Sequence, residues 1–236
     1  MSGQITAGRK VAFTTTPLDE IKAIKNHFGV TVNDVVMTIV AGALRSWLEQ
    51  LDDLPAAPLV AAVPLSVRTA EQRGTYGNRI AMMMTPMPTD VADPVERLQA
   101  TRWSMDAVKA RHRTVPATIL QDANHFIPPV LLARAARASA FFAASMSREA
   151  TANLIMSNVP GPRTPMYLAG ARWEAIYPAS AIFHGIGLNV TAASYLGRMN
   201  WGAVSDRVQV PDAWPLIDAI RKAQAELLSL VPEAVA

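Results

Sequence analysis

Ten consecutive residues, Val35 to Leu44, are apolar on every side except at Thr38, so a helix built from them has no face to give to water. Such a helix has to lie at the centre of its domain. Thr31 is placed to cap it, and Asp34, three residues on, completes a capping-box pattern. Polar residues come only at the far end, at Arg45, Glu49 and Gln50, which is the end expected to reach solvent.

The remaining elements are read around that helix. Thr16-Pro17-Leu18-Asp19 has the order of a cap, a proline at the first helical position and an acid in the first turn, and the helix it opens should stop at Gly29. Asp93-Pro94-Val95-Glu96 repeats the pattern, after which Leu98, Met105 and Val108 share one face of a helix ending near Arg113. Further helices are expected over residues 117–125, over 128–148, and from Asp212 to Leu230, where Leu216, Ile220, Ala223, Leu227 and Leu230 form a stripe. Leu59 to Leu65 and Ile80 to Met84 are short apolar runs bounded by prolines, and their length favours buried strands. The loop between them carries Arg68, Arg73, Gly74 and Gly77 and suits a surface or a channel mouth.

Asn153 to Asn158 reads as a strand that breaks at Val159-Pro160-Gly161-Pro162, a turn stiffened by its prolines, with Gly161 permitting a backbone angle that other residues resist. From Ile186 to Ser194 the chain alternates: Ile186, Leu188, Val190 and Ala192 point one way, Asn189 and Thr191 the other. Tyr195-Leu196-Gly197-Arg198 is a hairpin connection into Met199 to Val204. The sum is a mixed α/β domain, a mixed sheet flanked by helices, over residues 13–232, with residues 1–12 as the tail of a connection.

Half of the residues are apolar and only 17% are charged, against about a quarter in ordinary soluble domains. The extra apolar surface has to line a channel, face another domain or sit on a membrane, and composition does not choose among these. No run of about 18 apolar residues is free of charge; the nearest, Pro128 to Met146, is interrupted by Arg134 and Arg137. Arg9 and Lys10 are followed by no apolar segment of a secretory signal, so a cytoplasmic location is expected. The net charge of +3 is scattered, which gives no support for nucleic-acid binding.

Nucleophile and cofactor motifs are missing: there is no cysteine, no G-x-S-x-G elbow and no P-loop, and Gly185-Ile186-Gly187 lacks the third glycine of a dinucleotide site. The four histidines stand far apart without metal-ligand spacing, so no metal is expected. His27 and His112 lie near helix C-termini and His125 before a proline-rich break, positions that a helix dipole explains. His184, at the start of the strand carrying Asn189 and Thr191, is the one candidate catalytic histidine, although no orienting carboxylate accompanies it.

Read in order, Thr31-Val32-Asn33-Asp34-Val35-Val36, Pro64-Leu65-Ser66-Val67-Arg68, Gly77-Asn78, Ser157-Asn158-Val159-Pro160-Gly161-Pro162 and the Gly187 to Asp206 strand pair resemble the C-terminal domain of bacterial wax ester synthase/acyl-CoA:diacylglycerol acyltransferases. The resemblance runs from about Arg9 to Val231. It implies a half of a chloramphenicol-acetyltransferase-like fold and O-acyl transfer from acyl-CoA, as co-substrate and with no permanently bound cofactor, to diacylglycerol or a long-chain alcohol. In that family the catalytic histidine belongs to an HHxxxDG motif of the N-terminal half, and no two histidines are adjacent here. A separate or missing N-terminal half is therefore the expected partner, with Met1 falling close to the family's domain junction.

By the same resemblance Asn33 and Asp34 organise the active centre, although Asp34 is equally explained as a capping residue. Asn158, Pro160 and Gly161 border the substrate channel. Asn189, Thr191 and Ser194 either hydrogen-bond a substrate there or satisfy neighbouring backbone. Arg134, Arg137, Phe141 and Phe142 form the expected lipid-facing element at a membrane or lipid inclusion, or else a helix buried against the other half. A non-catalytic domain that binds lipid or another acyltransferase is the alternative reading.

Overall fold

The computed structural model describes residues 3–66, 80–114 and 152–232. Six strands form the main sheet: β1 (Arg9–Pro17), β2 (Leu59–Ser66), β3 (Ile80–Met87), β4 (Leu154–Val159), β7 (Leu188–Tyr195) and β8 (Arg198–Asp206). A two-stranded ribbon, β5 (Tyr167–Leu168) and β6 (Ala171–Arg172), stands apart from it. The order is β1-β8-β7-β4-β2-β3, with β2, β4 and β7 parallel and the other neighbours antiparallel. Four helices, α1 (Leu18–Phe28), α2 (Val32–Gln50), α3 (Pro94–Thr114) and α4 (Trp214–Ser229), pack on the sheet face that carries Ala12, Trp201, Val190, Met156, Ala61 and Met83.

The all-apolar helix is the centre of this layer, as its sequence requires: every residue from Asp34 to Leu44 is buried. Its capping box is formed, Thr31 Oγ1 accepting from the Asp34 amide at 3.2 Å while Asp34 Oδ2 accepts from the Thr31 amide at 2.9 Å. Gly29 ends α1 in the left-handed region, φ 64°, as expected. Asp93 caps α3 through Oδ1, which accepts from the amides of Val95 and Glu96 at 2.9 and 2.8 Å. Leu196 and Gly197, both at positive φ, make the turn between β7 and β8, where the left-handed conformation matches the twist of the paired strands.

Several boundaries differ from expectation; β3, for one, runs through Pro86 to Met87. Thr16 does not cap α1; it is a strand residue whose Oγ1 accepts from Trp201 Nε1 at 2.9 Å, and Pro17 takes the cap position. The last helix begins at Trp214, after Asp212 has accepted from the Trp214 amide at 2.9 Å, and Leu230 lies beyond its end, half-exposed. Residues 9–12, expected as connection, are the first four of β1 and pair with β8 from Arg9↔Asp206 to Ala12↔Ala203.

Asp206 fixes that start. Its Oδ2 accepts from the hydroxyl and amide of Thr6 at 2.7 and 2.6 Å, and its Oδ1 from the amides of Val208 and Gln209 at 3.0 and 3.1 Å. The hydroxyl of Thr6, followed by the three amides, outweighs burial and holds the carboxyl at about 2, below its ordinary 3.8. A depressed value means that the stabilisation is complete above pH 3.8 and drains away as the pH falls towards 2. Acid titration of the fold is expected to show this loss, and Asp206→Asn should flatten the stability profile across that window.

The second face of the sheet carries no helix among the described residues. Residues 173–186 cross it without regular structure over β7, β8 and β1. Gly202 makes the crossing possible, because a Cβ there would meet the carbonyl oxygen of Pro178 at an impossible distance. Val11, Phe13, Met82, Met84 and Val159 stay half-exposed on this face. No single described helix is long and apolar enough to cross a membrane. The loop with Arg68, Arg73, Gly74 and Gly77, the helices expected over 117–125 and 128–148, and His125, Arg134, Arg137, Phe141 and Phe142 lie outside the described residues.

Candidate active site

Parallel pairing of β4 and β7 places their C-terminal ends side by side, Asn158 level with Ala192 and Val159 with Ala193. The N-terminus of α2 arrives at the same edge. Asn158 Nδ2 reaches Asn33 Oδ1 at 3.5 Å, a contact long enough to leave both amides with unused donors and acceptors. Beyond Asn158 the chain turns through Val159, Pro160, Gly161 and Pro162, and the Gly161 amide donates to Ser194 Oγ at 3.1 Å. Asn33, Asp34, Asn158, Pro160, Gly161 and Ser194 therefore belong to one neighbourhood, although they are spread over most of the chain.

Gly161 is required there for a reason other than the one its motif suggests. It is not among the residues with positive φ; instead, a Cβ on it would run into the backbone carbonyl oxygen of Ser194. Close approach of two backbones, not an unusual angle, demands glycine. Asp34 is buried with one oxygen in the capping box and the other, Oδ1, without a partner among the described residues. Thr31→Ala is expected to cost about 1 kcal/mol by removing the cap. If Asp34 acts only through that cap, Asp34→Ala should cost a similar amount in a urea titration and leave activity per folded molecule unchanged.

Asn189 and Thr191 point to the opposite face of β7 and are buried beneath residues 177–183. Asn189 Nδ2 donates to the Ala181 carbonyl at 2.9 Å, and the Thr191 hydroxyl lies 3.0 Å from Ser180 Oγ and 2.8 Å from Asn189 Oδ1. Asn189 thus bonds neighbouring backbone, and Thr191 bonds neighbouring side chains.

His184 does not begin β7. It occupies the exposed tip of a tight turn, Phe183-His184-Gly185-Ile186, in which Gly185 has φ 91°. That turn precedes Leu188, at the end of β7 away from Ser194, a separation of six strand residues at about 3.3 Å each. It therefore cannot join the Asn33–Asn158–Ser194 cluster. His27 is exposed at the end of α1, edge-on to Phe28.

Tyr195 has a part in the site that its sequence position did not announce. Its buried hydroxyl accepts from the Met166 amide at 2.9 Å and donates to the Trp173 carbonyl at 3.1 Å, tying the β5–β6 ribbon to the strand end beside Ser194. The only hint in the sequence is an aromatic hydroxyl closing an alternating strand.

Chemically, the edge offers two side-chain amides and the positive end of α2, all suited to stabilising developing negative charge on an oxygen, while the Ser194 hydroxyl holds the Gly161 turn. None of the described histidines is in it. Among the described residues no group of three or more His, Cys, Asp or Glu could hold a metal ion.

Residues 76–228 match the family model of the WS/DGAT C-terminal domain. A Mycobacterium tuberculosis protein named for diacylglycerol O-acyl transfer is 38% identical over 213 residues, 89% of this chain and 42% of the relative. The O-acyltransferase WSD of Acinetobacter baylyi is 34% identical over 212 residues, 89% of this chain and 44% of its own length. The solved wax ester synthase/diacylglycerol acyltransferase from Marinobacter aquaeolei VT8 superposes with a TM-score of 0.76 at 32% identity, covering 96% of this chain and 50% of that one. The chain spans about half the length of the curated relatives it matches. With its mixed sheet, its helix layer and its Asn158 turn in the register just described, it belongs to the WS/DGAT C-terminal domain family.

Proposed function

We propose that this chain is the C-terminal half of an O-acyltransferase that moves a fatty acyl group from acyl-CoA to diacylglycerol or a long-chain alcohol, with the catalytic histidine supplied by an N-terminal half carrying HHxxxDG. The observation that carries the reading is the meeting of Asn33, Asn158 and Ser194 at one sheet edge without a histidine among them.

In the proposed reaction the base of the other half takes the hydroxyl proton of the alcohol. The alcohol oxygen then attacks the thioester carbonyl. A C–O bond forms, the C–S bond breaks, and CoA leaves as the thiol with the proton returned to its sulfur. On this side, the amides of Asn33 and Asn158 and the positive end of α2 face the developing oxyanion. Pro160, Gly161 and Ser194 keep the channel wall rigid. Asn189 and Thr191 contribute by holding residues 177–183 on the sheet.

Acyl-CoA is a co-substrate in this scheme, and no cofactor is bound permanently. The half-exposed apolar residues on the sheet face opposite the described helices suit the N-terminal half as their cover. On sequence alone, Arg134, Arg137, Phe141 and Phe142 are proposed to touch lipid, placing the protein in the cytoplasm at the periphery of a membrane or lipid inclusion. The test is to co-express the chain with an N-terminal family half and measure ester formation from acyl-CoA with diacylglycerol and with a fatty alcohol. Turnover above that of either half alone is expected. Lipid or acyl-CoA binding without any gain in turnover would replace this reading with that of a non-catalytic lipid-binding or partner domain.

A further inference from the structure

On the outer side of the helix layer, α2 and α4 leave a groove of about 270 Å³ lined by Gly42, Ser46, Ala219, Lys222, Ala223 and Glu226. Behind two of these residues, Gly42 and Glu226, lies a buried cation. Arg97 comes from α3, is 3% exposed, and passes its Nη1 directly over Gly42. Gly42 is the only glycine in α2, and a glycine inside a helix costs roughly 1 kcal/mol against alanine. Here the missing Cβ is the space that the guanidinium occupies.

The donors of Arg97 are unevenly used. Nε donates to the Val91 carbonyl at 3.0 Å and Nη2 to the Ala92 carbonyl at 2.5 Å, whereas Nη1 has only Glu226 Oε2, at 3.5 Å. Burial pushes the guanidinium below its ordinary value, opposed by Glu226 and Asp93 and reinforced by Arg45, yet an arginine stays charged in a protein. Lys222 reaches no carboxylate within ion-pair distance among the described residues. Ser46 accepts from Gln50 at 3.4 Å, which leaves its own proton free to donate. Lys222 and the Ser46 hydroxyl thus line a cavity whose one carboxylate, Glu226, stands between it and the buried Arg97, at the limit of bonding distance.

We propose that this groove binds a phosphoryl anion through Lys222 Nζ and Ser46 Oγ, and that the anion displaces Glu226, the internal competitor, and takes its place against Arg97 Nη1. A phosphate has the several acceptor oxygens that three convergent donors need, and both a soluble phosphate and a lipid headgroup present them. The groove lies among the helices and away from the strand ends that carry Asn158 and Ser194, so the inference does not depend on the acyl-transfer reading.

The test uses the whole chain and inorganic phosphate, by calorimetric titration and by melting in phosphate against chloride at equal ionic strength. Glu226→Gln removes the competitor and should tighten phosphate binding roughly tenfold by lifting a like-charge repulsion. Lys222→Ala, an exposed change that leaves the fold alone, should weaken it by a comparable factor. Co-sedimentation with phosphatidylcholine vesicles, with and without phosphatidic acid, then separates the sources: phosphatidic acid-dependent binding lost in Lys222→Ala assigns a headgroup, and phosphate binding without it assigns a soluble phosphate. No phosphate effect in either the unaltered chain or Glu226→Gln, or binding that Lys222→Ala leaves untouched, overturns the proposal.

Discussion

Trp201→Ala is expected to destabilise the domain by about 3–5 kcal/mol, the range for deleting a fully buried tryptophan. The indole sits at 0% exposure in the core of β8, opposite Thr14 of β1, and its Nε1 donates to Thr16. The substitution leaves a cavity between the sheet and the helix layer and removes the donor to a buried hydroxyl. For a domain of this size, each kcal/mol moves the midpoint roughly 2–4 °C, so a thermal scan should fall by roughly 6–20 °C. Trp201→Phe keeps most of the volume and should lose far less, mainly the hydrogen bond, at about 1 kcal/mol.

Gly161→Ala is expected to be the more damaging change for function. The added Cβ meets the Ser194 carbonyl, and because both are backbone neither can swing aside as a side chain would. The turn must move away from β7 and lose its bond to Ser194 Oγ, at about 1–3 kcal/mol of overpacking strain. A displaced turn carries Asn158 away from Asn33, so acyl transfer in the presence of an N-terminal half should fall well beyond the loss of folded protein. Ser194→Ala separates the two effects: it removes the hydrogen bond and leaves the close approach intact, so it should cost about 1 kcal/mol and retain most of the turnover. Equal losses in the two variants, measured by urea titration alongside ester formation, would show that the backbone approach is not what positions the turn.

Local chemistry made part of this fold legible. The helix from Thr31 could be read because its cap, its first turn and its apolar interior agree within twenty residues, and the β7–β8 hairpin because Gly197 sits between two strand patterns. Thr16 departs from its local pattern for the opposite reason: Thr-Pro-x-Asp is a good local cap, but pairing with β8 and the indole of Trp201, 185 positions away, hold it in the sheet. The alternation of its neighbours assigns His184 to the start of β7, whereas Gly185 at positive φ folds them into a separate turn.

The site was legible as a set of residues and not as an arrangement. Asn33 and Asn158 are 125 positions apart and Gly161 and Ser194 are 33 apart, so no period or spacing links them; only family resemblance put them together. The same limit hid residues 173–186, which have no repeating pattern and are held by Asn189, Thr191 and Gly202 from strands read for other purposes. Buried polar residues on a strand fit a channel lining and a covered face equally well in sequence, and the partner that decides between them lies on another segment.

In the proposed reaction this chain supplies one wall of a reaction chamber and receives its base from an N-terminal half. Ester formation from acyl-CoA and a fatty alcohol should be measured for the purified chain alone, with an N-terminal half, and with that half after its HHxxxDG histidines are replaced by alanine. The expected result is product only with the unaltered half. Sustained turnover by the chain alone, or turnover that survives loss of those histidines, would contradict the account.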